Sequence, residues 1–161
     1  MTTKYKLTIA IDDVNPSPKY RILGTPVGAW LRDLYLTFGC KFTLFIPSCY
    51  HGQWPISEHR TWVNELVGCG MFELAAHGHY HQTSNPQKYG ECEFLELNND
   101  EDIKNRIWLN LDDEWAKCGF DLDTLGWRNP GWLCSVKSKI YLERTFKYVA
   151  LHYEHNHNLT W

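Results

Sequence analysis

The segment His77-Gly78-His79-Tyr80-His81 sets three imidazoles at i, i+2 and i+4. In a helical turn the i/i+4 pair, His77 and His81, points to one side, as two ligands of one metal ion must. His79 then points elsewhere, to support the ligands, to face a substrate or simply to meet solvent. Histidine clusters also occur as surface or hydrogen-bonded groups, so this one needs partners before it means metal. Asp12-Asp13 supplies them. Standing alone, an Asp pair after an apolar run is a turn, its side chains accepting local backbone hydrogen bonds. Beside two histidines, one carboxylate can ligate the ion and the other can serve as a base. That makes a three-ligand site with an open position for water. A bound divalent ion lowers the pKa of that water and an unligated carboxylate takes its proton, so hydrolysis is the chemistry this set suits. Mixed nitrogen and oxygen ligation fits Zn2+ best, with Co2+, Mn2+, Ni2+ and Fe2+ as alternatives. Arg128-Asn129-Pro130-Gly131-Trp132 adds a planar cation able to grip a carboxylate, a rigid turn and a large aromatic. As a plain surface turn, the same segment would pair its Arg with any nearby acid.

These groups are far apart in the chain, so the intervening elements must bring them together. Leu7 to Ile11 is a short β-branched run that predicts a buried strand. Val27, Trp30, Leu31, Leu34, Tyr35 and Phe38 recur at helical spacing up to Gly39. Phe42 to Ile46 predicts a second strand, and Ser57 is placed to cap a helix carrying Trp62, Leu66 and Val67. Phe72 to Ala76 predicts a third strand. After a polar stretch from Gln82 to Asn99, Ile103, Ile107, Leu111 and Trp115 mark a long amphipathic helix. Thr124 to Trp127 is a short fourth strand, Ser135 opens a helix carrying Val136, Ile140 and Leu142, and Tyr148 to Tyr153 is a fifth strand. Alternation of this kind predicts an α/β fold, a mostly parallel sheet or incomplete (β/α) barrel. In such folds the site forms at the carboxyl ends of the strands, which is where Asp12-Asp13, Pro47-Ser48, the histidine cluster, the Arg128 segment and Glu154, His155 and His157 fall.

At 161 residues and 43% apolar, the chain suits one domain spanning residues 1–161. A net charge of −3 without a basic cluster excludes nucleic acid as the main partner. No apolar stretch reaches signal-peptide or membrane-span length, so a soluble, cytoplasmic protein without a membrane partner is expected. The six cysteines form no Cys-x-x-Cys pair, which removes zinc-finger and dithiol readings and leaves mostly buried, reduced thiols. Eight Trp are many for this length, enough for a sugar-stacking groove as well as a filled core.

Asp12-Asp13 after a first strand, His-x-x-x-His after a third and Arg-x-Pro-x-Trp after a fourth resemble the first three signature motifs of the polysaccharide deacetylases, the NodB-homology domain of carbohydrate esterase family 4. The likeness runs from Leu7 to Trp132. It implies a distorted (β/α) barrel of the NodB type and a metal-dependent hydrolase removing acetyl groups from an N-acetyl or O-acetyl, carbohydrate-like substrate. Carried over, Asp12 is the general base, oriented by Arg128, and Asp13, His77 and His81 hold the ion. Pro130 and Trp132, with His79 and Tyr80, face a small-molecule or oligosaccharide substrate.

The family's late Leu-x-His and its Asp-x-x-Asp-Trp segment are absent, as are the Phe before and the Gly after the first motif, so the chain resembles a divergent, short member. His155 or His157, beyond the fifth strand, could serve as the general acid only if the barrel closes differently, His155 being the candidate; read plainly, each is a polar end residue. The rival expectation is a catalytically silent relative that keeps the metal and binds a glycan or protein partner. So short a barrel would leave an edge for a second subunit to cover, as in a homo-oligomer.

Overall fold

The structure, a computed structural model, describes residues 9–150. Five strands form one parallel sheet: β1 (Ile9–Ile11), β2 (Phe42–Ile46), β5 (Phe72–Ala76), β6 (Gly126–Arg128) and β7 (Tyr148–Ala150). Between them β3 (Cys49–Tyr50) and β4 (Trp54–Pro55) pair as a small antiparallel hairpin. The helices are α1 (Pro26–Phe38), α2 (Arg60–Gly68), α3 (Pro86–Tyr89), α4 (Glu93–Glu96), α5 (Asp100–Lys104), α6 (Asp112–Lys117) and α7 (Val136–Thr145).

The strand order β1-β2-β5-β6-β7 follows the chain and never reverses. Right-handed crossovers that always step the same way lie on one face, so the sheet curls around the other as a half-barrel. This is the expected α/β class with a parallel sheet. All of β2 is buried, which is why Phe42–Ile46 shows no polar–apolar alternation, its one polar side chain, Thr43, donating to Glu73. Its neighbours are held in register with it, Ile11 opposite Leu44 and Ala76 opposite Ile46. Asp12, Ser48 and His77 therefore emerge at one end of the sheet.

The helices follow their local signals where the apolar period is long. Thr25 caps α1 by accepting the Gly28 N–H, Pro26 opens it, and Gly39 ends it at φ 70°. Ile103, Ile107, Leu111 and Trp115 are all fully buried. Four residues turn an α-helix about 40° past a full circle, so a stripe at this spacing drifts sideways. The π-helical segment Asn105–Leu111 between α5 and α6 is wider in its turn and takes up that drift. Ser135 caps α7 by accepting the Ser138 N–H, as expected.

Elsewhere the structure corrects the expectations. Ser57 caps nothing. It lies in a 3-10 turn with its N–H on the Glu114 carboxylate, and α2 starts at Arg60 without a side-chain cap. The fourth strand is shifted to Gly126–Arg128, because Thr124 closes a 3-10 turn through Asp121 O. Val27, Trp30, Phe38, Val67, Val136 and Ile140 are exposed, so the buried stripes of α1, α2 and α7 are narrower than their apolar ones. Of the cysteines only Cys49 is buried, and all six are free thiols. Trp62, Trp115 and Trp127 fill the core, whereas Trp30, Trp108 and Trp132 are exposed. Leu7, Thr8 and the segment from Leu151 onward, with Glu154, His155, His157 and Trp161, lie outside the described residues. Among the described residues no helix is long and apolar enough to cross a membrane.

Candidate metal centre

His77 continues β5, its N–H bonded to Ile46 O, and its Nδ1 lies 2.9 Å from Arg128 O. A backbone carbonyl can only accept, so Nδ1 carries the proton and a neutral His77 presents an unprotonated Nε2. That Nε2 sits 3.4 Å from Asp13 Oδ1, and His81 Nε2 sits 2.8 Å from the same oxygen. Asp13 Oδ1 is buried yet receives no aligned hydrogen bond. A lone pair set against a carboxylate oxygen is unfavourable unless a cation lies between them. Asp13, His77 and His81 thus form a group whose donor atoms could hold a metal ion.

Charge bookkeeping points the same way. Asp12 is bonded to Arg128, Nη1 to Oδ1 at 2.8 Å, and the buried Glu93 is paired with Arg106. Among the described residues, Asp13 makes its ion-pair contacts with two imidazoles. Burial works against its charged form, but the close approach and charge of the His77 and His81 imidazoles outweigh this and hold the carboxyl well below the usual carboxylate range. Burial likewise works against a charged His81, and Asp13 with Glu91 more than offsets it, raising the imidazole. A divalent ion fits this nitrogen and oxygen set.

His77 and His81 do not converge through a helical turn. The segment is a kinked loop, with Gly78 at φ 78° and His81 at φ 54°. The four non-glycine residues at positive φ among the described residues are Asp13, His51, His81 and Trp132. All four stand at this site, where strained backbone is held by its surroundings. Asp13 is supported by Asn15, whose buried side chain donates to Asp13 O and accepts the Ser17 N–H.

Arg128 carries its guanidinium over the Phe45 ring, 4.1 Å from the centroid, to reach Asp12. β1 and β6 are three strand spacings apart, roughly 14 Å in a flat sheet, so a long side chain, helped by the curl of the sheet, is needed to bring these two groups together. Arg128 Nε has no partner among the described residues. Trp132 is half-exposed with the Arg128 guanidinium 4.8 Å from its ring. Pro130 is buried, and Gly78 lies so close beneath it that a Cβ there would overlap the Pro130 ring. His79 is buried and shares a 2.6 Å hydrogen bond between its Nδ1 and Ser48 Oγ. Tyr80 is half-buried under the Arg106 guanidinium.

Sequence reasoning missed the far wall. Tyr50 stacks on His51 at 4.0 Å, meets Tyr20 edge-on at 5.5 Å and reaches within 5.9 Å of the His81 ring. Glu91 Oε2 lies 3.6 Å from His81 Nδ1, which has no hydrogen bond, so His51, His81 and Glu91 make a second candidate group sharing one ligand. Tyr50 and His51 follow Ser48 at the end of β2 and were findable by position. Glu91 and Glu93 lie in the polar stretch, which has no period to mark them.

No protein-family model matches the chain, and no curated protein matches it.

Proposed function

We propose that this chain is a metal-dependent hydrolase that removes acetyl groups from a carbohydrate-like substrate, a divergent relative of the NodB-type polysaccharide deacetylases. The observation that carries the reading is the division of labour between adjacent carboxylates. Asp12 is held by Arg128 at 2.8 Å, while Asp13 turns to His77 and His81. When bound there, a divalent ion, Zn2+ by preference, would acidify a water and polarise the acyl carbonyl. Asp12, anchored but not a ligand, is placed to take the water's proton, and Arg128 fixes the direction in which it does so.

A hollow of about 220 Å3 beside Asp12 and Asp13, walled by Ile11, Val14, Ile22 and Val27 with Lys19 and Tyr20, offers room for a small acyl group. Trp132 and Tyr50 flank the site with aromatic faces suited to a sugar ring. The residue assigned to protonate the leaving amine, His155, lies outside the described residues.

The test is acetate release from acetylated chito-oligosaccharides and from a simple acetyl ester, with Zn2+, Co2+ or Mn2+ added. The expected result is metal-dependent turnover that falls on the order of 10²- to 10⁴-fold in Asp12→Asn, the usual worth of a positioned base. No metal-dependent release from either compound would refute the enzyme.

A further inference from the structure

Glu93 is a charged residue where charge is hardest to keep, 1% exposed beneath the histidine loop. Its Oε2 accepts the backbone N–H groups of His79, Tyr80 and His81 at 2.9, 3.0 and 3.1 Å. Its Oε1 is paired with Arg106 Nη1, and the Arg106 guanidinium in turn covers the Tyr80 ring at 4.6 Å. Three consecutive N–H groups reach one oxygen only if the backbone bends around it. The bend is present in the positive φ of Gly78 and His81, and a Cβ on Gly78 would run into that same Oε2.

The opposite side of the loop is held as completely. Gly78 O, His79 O and Tyr80 O accept the N–H groups of Ser48, Cys49 and His51 at 3.1, 2.8 and 2.8 Å. His77 has independent anchors, the sheet and Arg128 O. His81 has none of these. Its Nε2 meets Asp13, its Nδ1 has no hydrogen bond, and its backbone N–H goes to Glu93. The place of the His81 ring is therefore set by the loop, and the amide side of the loop is set by Glu93.

We propose that Glu93 is the positioning residue of the metal centre. Its buried carboxylate, neutralised by Arg106, gathers the His79, Tyr80 and His81 amides and so aims His81 at the ion shared with Asp13 and His77. This rests on the metal reading above and adds a residue that touches neither ion nor substrate. Partners that orient a ligand without contacting the metal are worth on the order of 10- to 100-fold in affinity.

The experiment is a Co2+ titration of the purified, full-length, metal-free chain, followed by visible absorption, with the thermal midpoint of each metal-free protein recorded alongside. Glu93→Gln keeps the size and one acceptor oxygen but loses the charge that Arg106 needs. It is expected to bind Co2+ on the order of 10- to 100-fold more weakly and with a shifted absorption envelope. Should Glu93→Gln fail to fold, the Arg106 pair decides. Arg106→Gln, which strands the Glu93 charge, is expected to lose affinity in the same way, and Arg106→Lys to recover most of it. A Glu93→Gln protein that is less heat-stable but keeps the wild-type Co2+ affinity and spectrum would overturn the proposal, as would Arg106→Gln behaving like wild type. If the wild-type chain takes up no Co2+, the metal reading itself falls and this inference falls with it.

Discussion

Arg128 ends β6 and Asp12 follows β1, strands that are not neighbours, yet Arg128 Nη1 lies 2.8 Å from Asp12 Oδ1. The Arg128 side chain, lying across Phe45, spans the gap between them. The same residue uses its backbone carbonyl to hold His77 Nδ1. One position thus holds Asp12 through its side chain and His77 through its main chain, the base and a metal ligand of the proposed function.

That separation makes a prediction. Arg128→Met should lower turnover about 100-fold, the scale set by misplacing a reacting group by an ångström, while metal affinity stays at the wild-type level. Arg128→Lys should recover little, because a point charge does not reproduce the planar fork. Steady-state kinetics beside a Zn2+ titration reads both. Loss of metal binding in Arg128→Met would show that the side chain, not the carbonyl, holds the ligand set.

Gly78 is required twice, by its φ of 78° and by the Pro130 ring and Glu93 carboxylate that a Cβ would meet. Gly78→Ala should cost about 2 kcal/mol or more of stability in urea unfolding, since it adds left-handed strain to a steric clash in a buried loop. A loss under about 0.5 kcal/mol, the range of an ordinary surface change, would mean that the loop has room the structure does not show.

His79 gives the fold a pH dependence of its own. Burial, aided by Arg106, pushes its imidazole down to about 3 from 6.5. A depressed histidine pKa means that the unfolded chain binds the proton more tightly than the folded one. Its contribution is therefore complete above pH 6.5 and is lost progressively as pH falls from there towards about 3. One proton over that window is worth about 1.4 kcal/mol per pH unit. In urea unfolding of the metal-free protein between pH 7.5 and 4, the wild type should lose stability more steeply than His79→Gln. Parallel curves would show that His79 takes up its proton without unfolding.

Elements with a long apolar period were legible in the residues. α1 with its Gly39 end, the mostly apolar β2, the stripe from Ile103 to Trp115 and the Ser135 cap are written locally, in spacing and capping chemistry. The first approximation of the site was legible too, because a parallel sheet sends its strand ends to one side and Asp12, Asp13, His77 and Arg128 sit at those ends. What escaped has a common physical cause. The histidine loop takes its shape from positive φ at His81 and from a carboxylate twelve positions later, and neither leaves a periodic trace. A buried Glu93 looks, in sequence, like any solvated acid in a polar stretch. β6, three residues long and set by pairing with Ala75 and Ala76, carries too little pattern to locate its start.

Whether Asp13, His77 and His81 hold one divalent ion is decided by metal content after dialysis against Zn2+, with circular dichroism to verify the fold. Wild type is expected to retain about one ion per chain, as a three-ligand site should. His77→Ala and Asp13→Asn, the latter chosen because Asn tolerates the φ of 61° at that position, should retain almost none with unchanged secondary structure. A wild-type chain without zinc, or variants that bind it as well as wild type does, would contradict the account.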